Sequence, residues 1–406
     1  MSPFRLVAVA ALTAAGLWLS VAPASGAPAR SGAHARPRAP AAAPAPAPLA
    51  TASGVPIIAA GAYLLLDVAS GTPLVAQNAD ERRDPASLTK LMTAYVAFTA
   101  LKEGKIMPSQ IVPVSPAAWH AEGSRMFIEP KRAVSVDELL HGVVVQSGND
   151  ASIAIAEAVA GSESAFVALM NAEAVRMGLG GTHFANATGL PQPDHYSTAR
   201  DLGTLAAAVI RDYPDQYAAL YSLKEYRYNN ITQPNRNRLL WVDPYVDGMK
   251  TGHTDTAGWC LIASAKRGER RLLSVVLGAA SDAARTTESE RLLNYGFQAF
   301  DTVQLYQSGK AVQSLRVWKG ATDSVAAGFF ADQYLSLPKG KASALELTLT
   351  ATEPLIAPVA HGQRVGTVKV ALEGRTLAEL PMVALADVPQ AGFMGRAWDT
   401  VRLWFK

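Results

Sequence analysis

Near Thr302 the hydrophobic pattern of the chain changes period, and this change sets what the chain can fold into. Up to about residue 300, helical and strand-like segments are interleaved. Asp84-Pro85-Ala86-Ser87 opens a helix expected to run to about Lys102, and Leu139–Val145 and Ala151–Ala160 repeat apolar positions at helical spacing. Ala62–Val68 has the apolar content of a buried strand, with a turn at Ser70-Gly71-Thr72-Pro73. Leu261–Ala265 and Leu272–Leu277 form a predicted hairpin around Lys266-Arg267-Gly268-Glu269. Helices and strands do not follow a strict βαβ alternation, so the fold class expected here is α+β, with helices on an antiparallel sheet. Beyond Thr302 helical runs vanish. Alternating stretches such as Thr367-Val368-Lys369-Val370-Ala371-Leu372, punctuated by Gly and Pro, predict a small all-β domain.

The two ends differ from this body. Arg5 precedes an apolar run from Leu6 to Leu19, and small residues follow at Ala22-Pro23-Ala24 and Ser25-Gly26-Ala27. The run is shorter than the ~20 residues that span a bilayer, so residues 1–27 are expected to be a cleaved export signal. Residues 28–54 are dominated by Ala and Pro up to residue 50, which predicts an extended linker. Residues 55–300 and 301–389 are then the two folded domains. Residues 390–406 end in an amphipathic helix: Phe393, Met394, Ala397, Trp398, Val401, Trp404 and Phe405 share one face, and Arg396, Asp399, Arg402 and Lys406 the other. Only Leu403 strays. The basic polar face and aromatic apolar face predict a helix that lies on a membrane surface.

Charge and cysteine content narrow the chemistry. The net charge is +3 and the four arginines of residues 1–50 more than account for it, so nucleic acid is not an expected partner. The single cysteine, Cys260, cannot form an internal disulfide or a thiolate-built zinc site and is read as a core residue. The histidines lack ligand spacing, so no metal and no cofactor is expected.

Ser87-Leu88-Thr89-Lys90 is the strongest chemical signal. On a helix, residues i and i+3 lie one turn apart on the same face, which puts a hydroxyl within reach of an amine. Serine is a poor nucleophile without a base, and a lysine serves once burial or a neighbouring cation lowers its pKa. By itself the tetrapeptide is compatible with a helix cap and a solvated lysine. Ser147-Gly148-Asn149 and Lys250-Thr251-Gly252 follow in order, and three such motifs together point to one catalytic cleft.

The chain resembles the low-molecular-mass penicillin-binding proteins that are D-alanyl-D-alanine carboxypeptidases. The resemblance covers nearly all of residues 55–406. It rests on Arg83-Asp84-Pro85-Ala86-Ser87-Leu88-Thr89-Lys90, Gln146-Ser147-Gly148-Asn149-Asp150-Ala151, Val246-Asp247-Gly248-Met249-Lys250-Thr251-Gly252-His253-Thr254 and Ser197-Thr198-Ala199-Arg200-Asp201. It implies a serine β-lactamase/transpeptidase-like domain, an antiparallel sheet with helices on both sides, followed by the all-β domain and the terminal helix. It also implies catalytic roles for Ser87, Lys90 and Ser147. Ser87 is expected to attack the bond between two terminal D-alanines. Lys90, kept neutral by burial and by Lys250, is expected to take its proton, and Ser147 to relay a proton to the departing amine. Substrate-binding roles are implied for Asn149 on the substrate amide, for Lys250, for Thr251 and Arg285 on the free carboxylate, and for Gly252 and His253 beside the oxyanion. The implied partners are peptidoglycan stems ending in D-Ala-D-Ala, β-lactam antibiotics as inhibitors, and a membrane surface through residues 393–406. The implied location is the periplasmic face of the bacterial inner membrane.

Two rivals differ in what they require. A β-lactamase shares the nucleophile but hydrolyses its acyl-enzyme quickly, and in class A enzymes a glutamate positions the water. Thr182–Leu190, after the second motif, contains no acid, and Gly148 stands where those enzymes carry Asp. A non-catalytic penicillin-binding scaffold has no need of intact motifs, and all of them are intact here.

Overall fold

The computed structural model describes residues 54–404. The expected export signal and all of the expected linker except Gly54 lie outside the described residues. β1 (Ala62–Asp67) and β2 (Pro73–Gln77) form the first hairpin. A 3-10 turn at Ala86–Thr89 then runs into α1 (Lys90–Lys102). The helical part continues with α2 (Pro116–Trp119), α3 (Val136–His141), α4 (Asn149–Ala160), α5 (Glu163–Arg176), α6 (Ala199–Asp212) and α7 (Pro214–Leu220). A small hairpin, β3 (Glu225–Tyr228) with β4 (Ile231–Pro234), and the short α8 (Leu239–Val242) lead to β5 (Val246–Thr254). β6 (Gly258–Arg267), β7 (Arg270–Ala279) and α9 (Asp282–Ala299) complete the domain.

The central sheet has the order β2-β1-β7-β6-β5, and every neighbouring pair is antiparallel. Helices cover both faces. Leu64 and Leu66 of β1 and Leu273 and Val275 of β7 pack into the core shared with α1, α4 and α6. Tyr63 and Leu65, with Leu272 and Val276, face the other way onto Leu292 and Leu293 of α9. Side chains alternate along a strand, so a strand covered on both faces reads as an unbroken apolar run. That is why Ala62–Asp67 showed no alternation. α1 is buried almost all round, as an apolar helix in the middle of a domain must be.

One expected helix is divided. Leu139–Val145 was read as continuous, but α3 stops at His141 and a wide π turn, Gly142–Gln146, takes over. The turn keeps Val143, Val144 and Val145 buried, and Gly148 N–H donates to Gly142 O at 2.9 Å beyond it. It delivers Ser147 in the left-handed conformation, φ 60°, immediately before α4. Local geometry of this kind is invisible to apolar spacing, and π turns inside helical segments often mark functional positions.

The second domain is all-β, as expected. It contains β8 (Phe300–Tyr306), β9 (Ala311–Arg316), β10 (Ser324–Gly328), β11 (Gln333–Pro338), β12 (Leu345–Ala351), β13 (Arg364–Leu372) and β14 (Arg375–Ala384). Five of them form a sheet in the order β12-β13-β14-β10-β9, and β11 and β8 make a two-stranded ribbon. Val365, Val368, Val370 and Met382 sit at its core. A polar seam joins the domains: Arg270 Nε donates to Thr302 Oγ1 at 2.7 Å, Thr302 Oγ1 donates to Asp67, and the Ser70 and Ser336 hydroxyls lie 2.7 Å apart.

α10 (Phe393–Trp404) ends the described chain. Its outward face carries Phe393, Met394, Trp398, Val401 and Trp404, all exposed. On the side toward the body, the Asp399 carboxylate accepts from Lys319 N–H at 2.6 Å and Leu403 is half-buried. The residue that strayed from the apolar stripe is one that faces the protein.

Candidate active site

The three motifs come together. Ser87, Ser147, Thr251, Gly252, His253 and Arg285 all line one cavity of about 650 Å³. Ser87 lies in the 3-10 turn and Lys90 is the first residue of α1. The turn is entered through Ala86 at φ 47°, a left-handed conformation unusual for alanine and held here by full burial. β5 carries the third motif past this turn. A Cβ on Gly252 would come within 3.2 Å of Ser87 N and 3.1 Å of Pro85 O, so glycine is what allows the strand to lie against the nucleophile.

Lys90 is buried, and its Nζ lies 2.6 Å from Asn149 Oδ1, 2.6 Å from Thr188 O and 3.0 Å from Ser87 Oγ. Burial above all, with the Arg236 guanidinium adding and Asp150 opposing, pushes its pKa down to about 7. A neutral amine has two N–H donors and one lone pair. The two short contacts go to oxygens that can only accept, so they take both N–H groups and leave the lone pair facing the Ser87 hydroxyl. This is the geometry of a serine and its base.

Lys250 supplies a second amine. Its Nζ donates to Ser147 Oγ at 2.9 Å and to Thr251 O at 3.1 Å. Burial holds its pKa well below the usual lysine range, with Lys90, Arg236 and Arg285 adding to the effect. The site is therefore two hydroxyl–amine pairs side by side, Ser87 with Lys90 and Ser147 with Lys250, and Lys90 disfavours charge on Lys250.

Three residues, Lys90, Asn149 and Arg285, differ in their surroundings from what the sequence implied. The cation acting most strongly on Lys90 is Arg236, not Lys250. Both polar ends of Asn149 are engaged: Oδ1 accepts from Lys90, and Nδ2 donates to Glu122 O at 2.6 Å. It therefore positions the base and the cleft wall before any substrate arrives. Arg285 lines the cavity, but its buried guanidinium donates to Gly252 O at 3.0 Å, to Cys260 O at 3.2 Å and to Asp282. It fastens β5 and β6 to α9. His253 is exposed and stacks on Trp259 with ring centres 3.9 Å apart, marking the outer end of β5. Cys260 is fully buried, as a core residue.

Two contributors were missed. Arg236 stands exposed in the cleft with no hydrogen-bond or ion-pair partner among the described residues. It is flanked by buried asparagines: Asn235 Nδ2 donates to Leu223 O at 3.0 Å, and Asn237 Nδ2 donates to Gly248 O at 2.9 Å. The polar triplet Asn235-Arg236-Asn237 ahead of apolar Leu239-Leu240 was the available signal. Asp150, next to Asn149 in the second motif, is the other. Its carboxylate accepts from the N–H groups of Met126, Phe127 and Ile128 at 2.9, 2.8 and 3.2 Å, clamping the segment that brings Gly123 and Ser124 to the cleft. Asp150→Asn leaves buried donors unpaired and is expected to cost about 2 kcal/mol, with a raised KM for peptide. Unchanged urea unfolding and KM would contradict the clamp.

The D-alanyl-D-alanine carboxypeptidase family model matches residues 49–281, and a model of the penicillin-binding protein 5 C-terminal domain matches residues 300–390. The chain belongs to the D-alanyl-D-alanine carboxypeptidase family. It is 44% identical over 86% of its length to the carboxypeptidase DacC of Escherichia coli, covering 89% of that protein. It is 42% identical to DacA of Haemophilus influenzae, across 86% of this chain and 91% of that one. Among solved structures it is similar to penicillin-binding protein 5 of Haemophilus influenzae, with a TM-score of 0.80 at 42% identity over 83% of this chain and 99% of that one. It is also similar to penicillin-binding protein D2 of Listeria monocytogenes, solved with ampicillin bound, with a TM-score of 0.56 at 30% identity over 60% of this chain and 99% of that one. The two-domain architecture is thus that of the family.

Proposed function

We propose that the chain is a serine-type carboxypeptidase that removes the terminal D-alanine from peptidoglycan pentapeptide stems through an acyl-enzyme on Ser87. The observation that carries this reading is the buried Lys90 Nζ, 3.0 Å from Ser87 Oγ and 2.6 Å from two oxygens that can only accept, so that the neutral amine turns its lone pair to Ser87. Lys90 takes the Ser87 proton as Oγ attacks the carbonyl between the two D-alanines. The backbone N–H groups of Ser87 and His253 stabilise the oxyanion. Ser147, polarised by Lys250, passes a proton to the departing D-alanine amine. Thr251 and the free guanidinium of Arg236 take the terminal carboxylate, a charge-assisted contact that selects a peptide with a free C-terminus. Water then releases the shortened stem. β-Lactams present a similar carbonyl and carboxylate, so they acylate Ser87 and inhibit.

Mass spectrometry of a D-Ala-D-Ala pentapeptide reaction, run beside labelling with a fluorescent penicillin, tests this reading. Release of one D-alanine together with a long-lived penicillin adduct is expected. Rapid turnover of the penicillin points instead to a β-lactamase, and an adduct without D-alanine release to a non-catalytic scaffold.

The expected location rests on the two ends. The charge and apolar pattern of residues 1–27 supports export, and the outward aromatic face of α10 supports attachment to a membrane surface, with the enzyme at the periplasmic face of the inner membrane. Deleting residues 393–406 is expected to move the protein from the membrane to the soluble fraction with its activity intact. An unchanged membrane fraction would assign the anchor to the N-terminal stretch.

A further inference from the structure

His195 is buried behind the nucleophile turn, and none of the motifs contains it. The residue is 2% exposed, and its ring spans two pieces of the site. Nδ1 lies 3.1 Å from Ala185 N, and Nε2 lies 2.7 Å from Thr89 Oγ1. A backbone N–H can only donate, so Nδ1 is the bare nitrogen and accepts from Ala185. The ring proton is therefore on Nε2, which donates to Thr89 Oγ1. Burial favours this neutral form, pushing the pKa down to about 4. Phe184 packs edge-on against the ring, with centres 5.9 Å apart.

The two bonded partners are the two halves of the base's setting. Thr89 precedes Lys90 in the nucleophile turn. Ala185 begins the segment that carries Thr188, whose carbonyl takes one of the two Lys90 N–H groups. The segment is also held where Thr93 Oγ1 donates to Ala187 O at 2.7 Å, where Ala187 N–H donates to Glu163 Oε1 at 2.9 Å, and where Gly189 packs so tightly that a Cβ there would lie 1.9 Å from Ala86 O. None of these is a side-chain link to Thr89.

We propose that His195 is a positioning residue for Lys90: it ties the 185–189 segment to the Ser-x-x-Lys turn and so holds the Thr188 carbonyl where it directs the Lys90 lone pair at Ser87. The proposal rests on Lys90 being the base, as argued above. A shift of about 1 Å in a reacting group is enough to lose ~10²-fold in rate. Gln can reproduce both contacts, with its amide oxygen accepting from Ala185 and its NH₂ donating to Thr89. Leu fills similar space and makes neither.

The test compares His195→Leu, His195→Gln and Thr89→Val by thermal unfolding, by steady-state kinetics on the pentapeptide, and by the pH profile of penicillin acylation. His195→Leu and Thr89→Val are each expected to lower kcat and the acylation rate ~10–100-fold with KM little changed. In both, water reaching Lys90 moves the acid limb of the profile above its wild-type position. The double variant is expected to be no slower than either single variant, since both break one link. His195→Gln is expected to recover most of the rate and return the limb to its wild-type position. Wild-type kcat and an unmoved limb in His195→Leu would overturn the proposal, as would additive losses in the double variant or a Gln variant as slow as Leu. If His195→Leu does not fold, Thr89→Val with the same readouts decides. A wild-type enzyme that fails to release D-alanine or shows a flat pH profile counts against the assigned activity or base, not against this link.

Discussion

Ser87→Ala is expected to abolish both the penicillin adduct and D-alanine release. Deleting the nucleophile leaves no atom on which an acyl-enzyme can form, and what remains is binding and oxyanion stabilisation. The fall in kcat is expected to exceed ~10⁴-fold. The fold should survive, because Ser87 is only half-buried and its hydroxyl is removed without opening a cavity. Intact protein mass after exposure to penicillin is the measurement. Retained adduct on a well-folded Ser87→Ala protein would assign the nucleophile elsewhere, with Ser147 the first alternative, since its own amine partner lies 2.9 Å away.

Lys90→Met is the second large effect. Methionine fills the buried volume of the lysine stem and supplies no lone pair, so acylation is expected to slow by ~10³-fold. The wild-type pH profile has a definite sign. Below its pKa of about 7, Lys90 is an ammonium with no lone pair, and the rate falls tenfold for each pH unit. Above that pKa the amine is neutral and the rate levels off. The limb should be absent in Lys90→Met. A wild-type rate that is flat between pH 5 and 9 would remove Lys90 as the base and transfer the role to Lys250, the other buried amine of the cleft.

The two amines also explain why the site needs so many acceptors around Lys90. A buried lysine flanked by Arg236 gains little by simple desolvation unless its lone pair points the right way. Asn149 and Thr188 do the pointing, and each is fixed in turn, Asn149 by the Glu122 carbonyl and Thr188 by the folding back of its own segment. Asn186 anchors that fold, with Oδ1 accepting from Thr188 N–H at 3.1 Å and Gly189 N–H at 2.7 Å. Asn149 is visible in its motif, but the Thr188 backbone carbonyl that holds the other Lys90 N–H leaves no trace in side-chain motifs.

Much of the molecule was legible before any coordinates. Apolar spacing separated the α+β domain from the all-β domain because strands and helices bury faces at different periods. The Ser-x-x-Lys turn was legible because an i, i+3 pair on one helix is a local fact. Ser147 and Lys250 could be named as partners from their motifs, but their 2.9 Å contact is made by β5 and the π turn after α3, which no local pattern encodes. Arg285 shows the converse. Its residue type and place implied a carboxylate grip, whereas its two Nη atoms already donate to two strand carbonyls and Asp282.

What the amino-acid order determined by itself is the list of reactive groups and the segments that carry them, since hydroxyl, amine and apolar period are properties of single residues and near neighbours. Tertiary structure alone decided which arginine stays free, which carbonyls orient the base, and which way Lys90 aims its lone pair. Those depend on burial and on contacts between segments roughly 60 to 160 residues apart in the chain, and a free energy of that kind exists only once the chain has closed on itself.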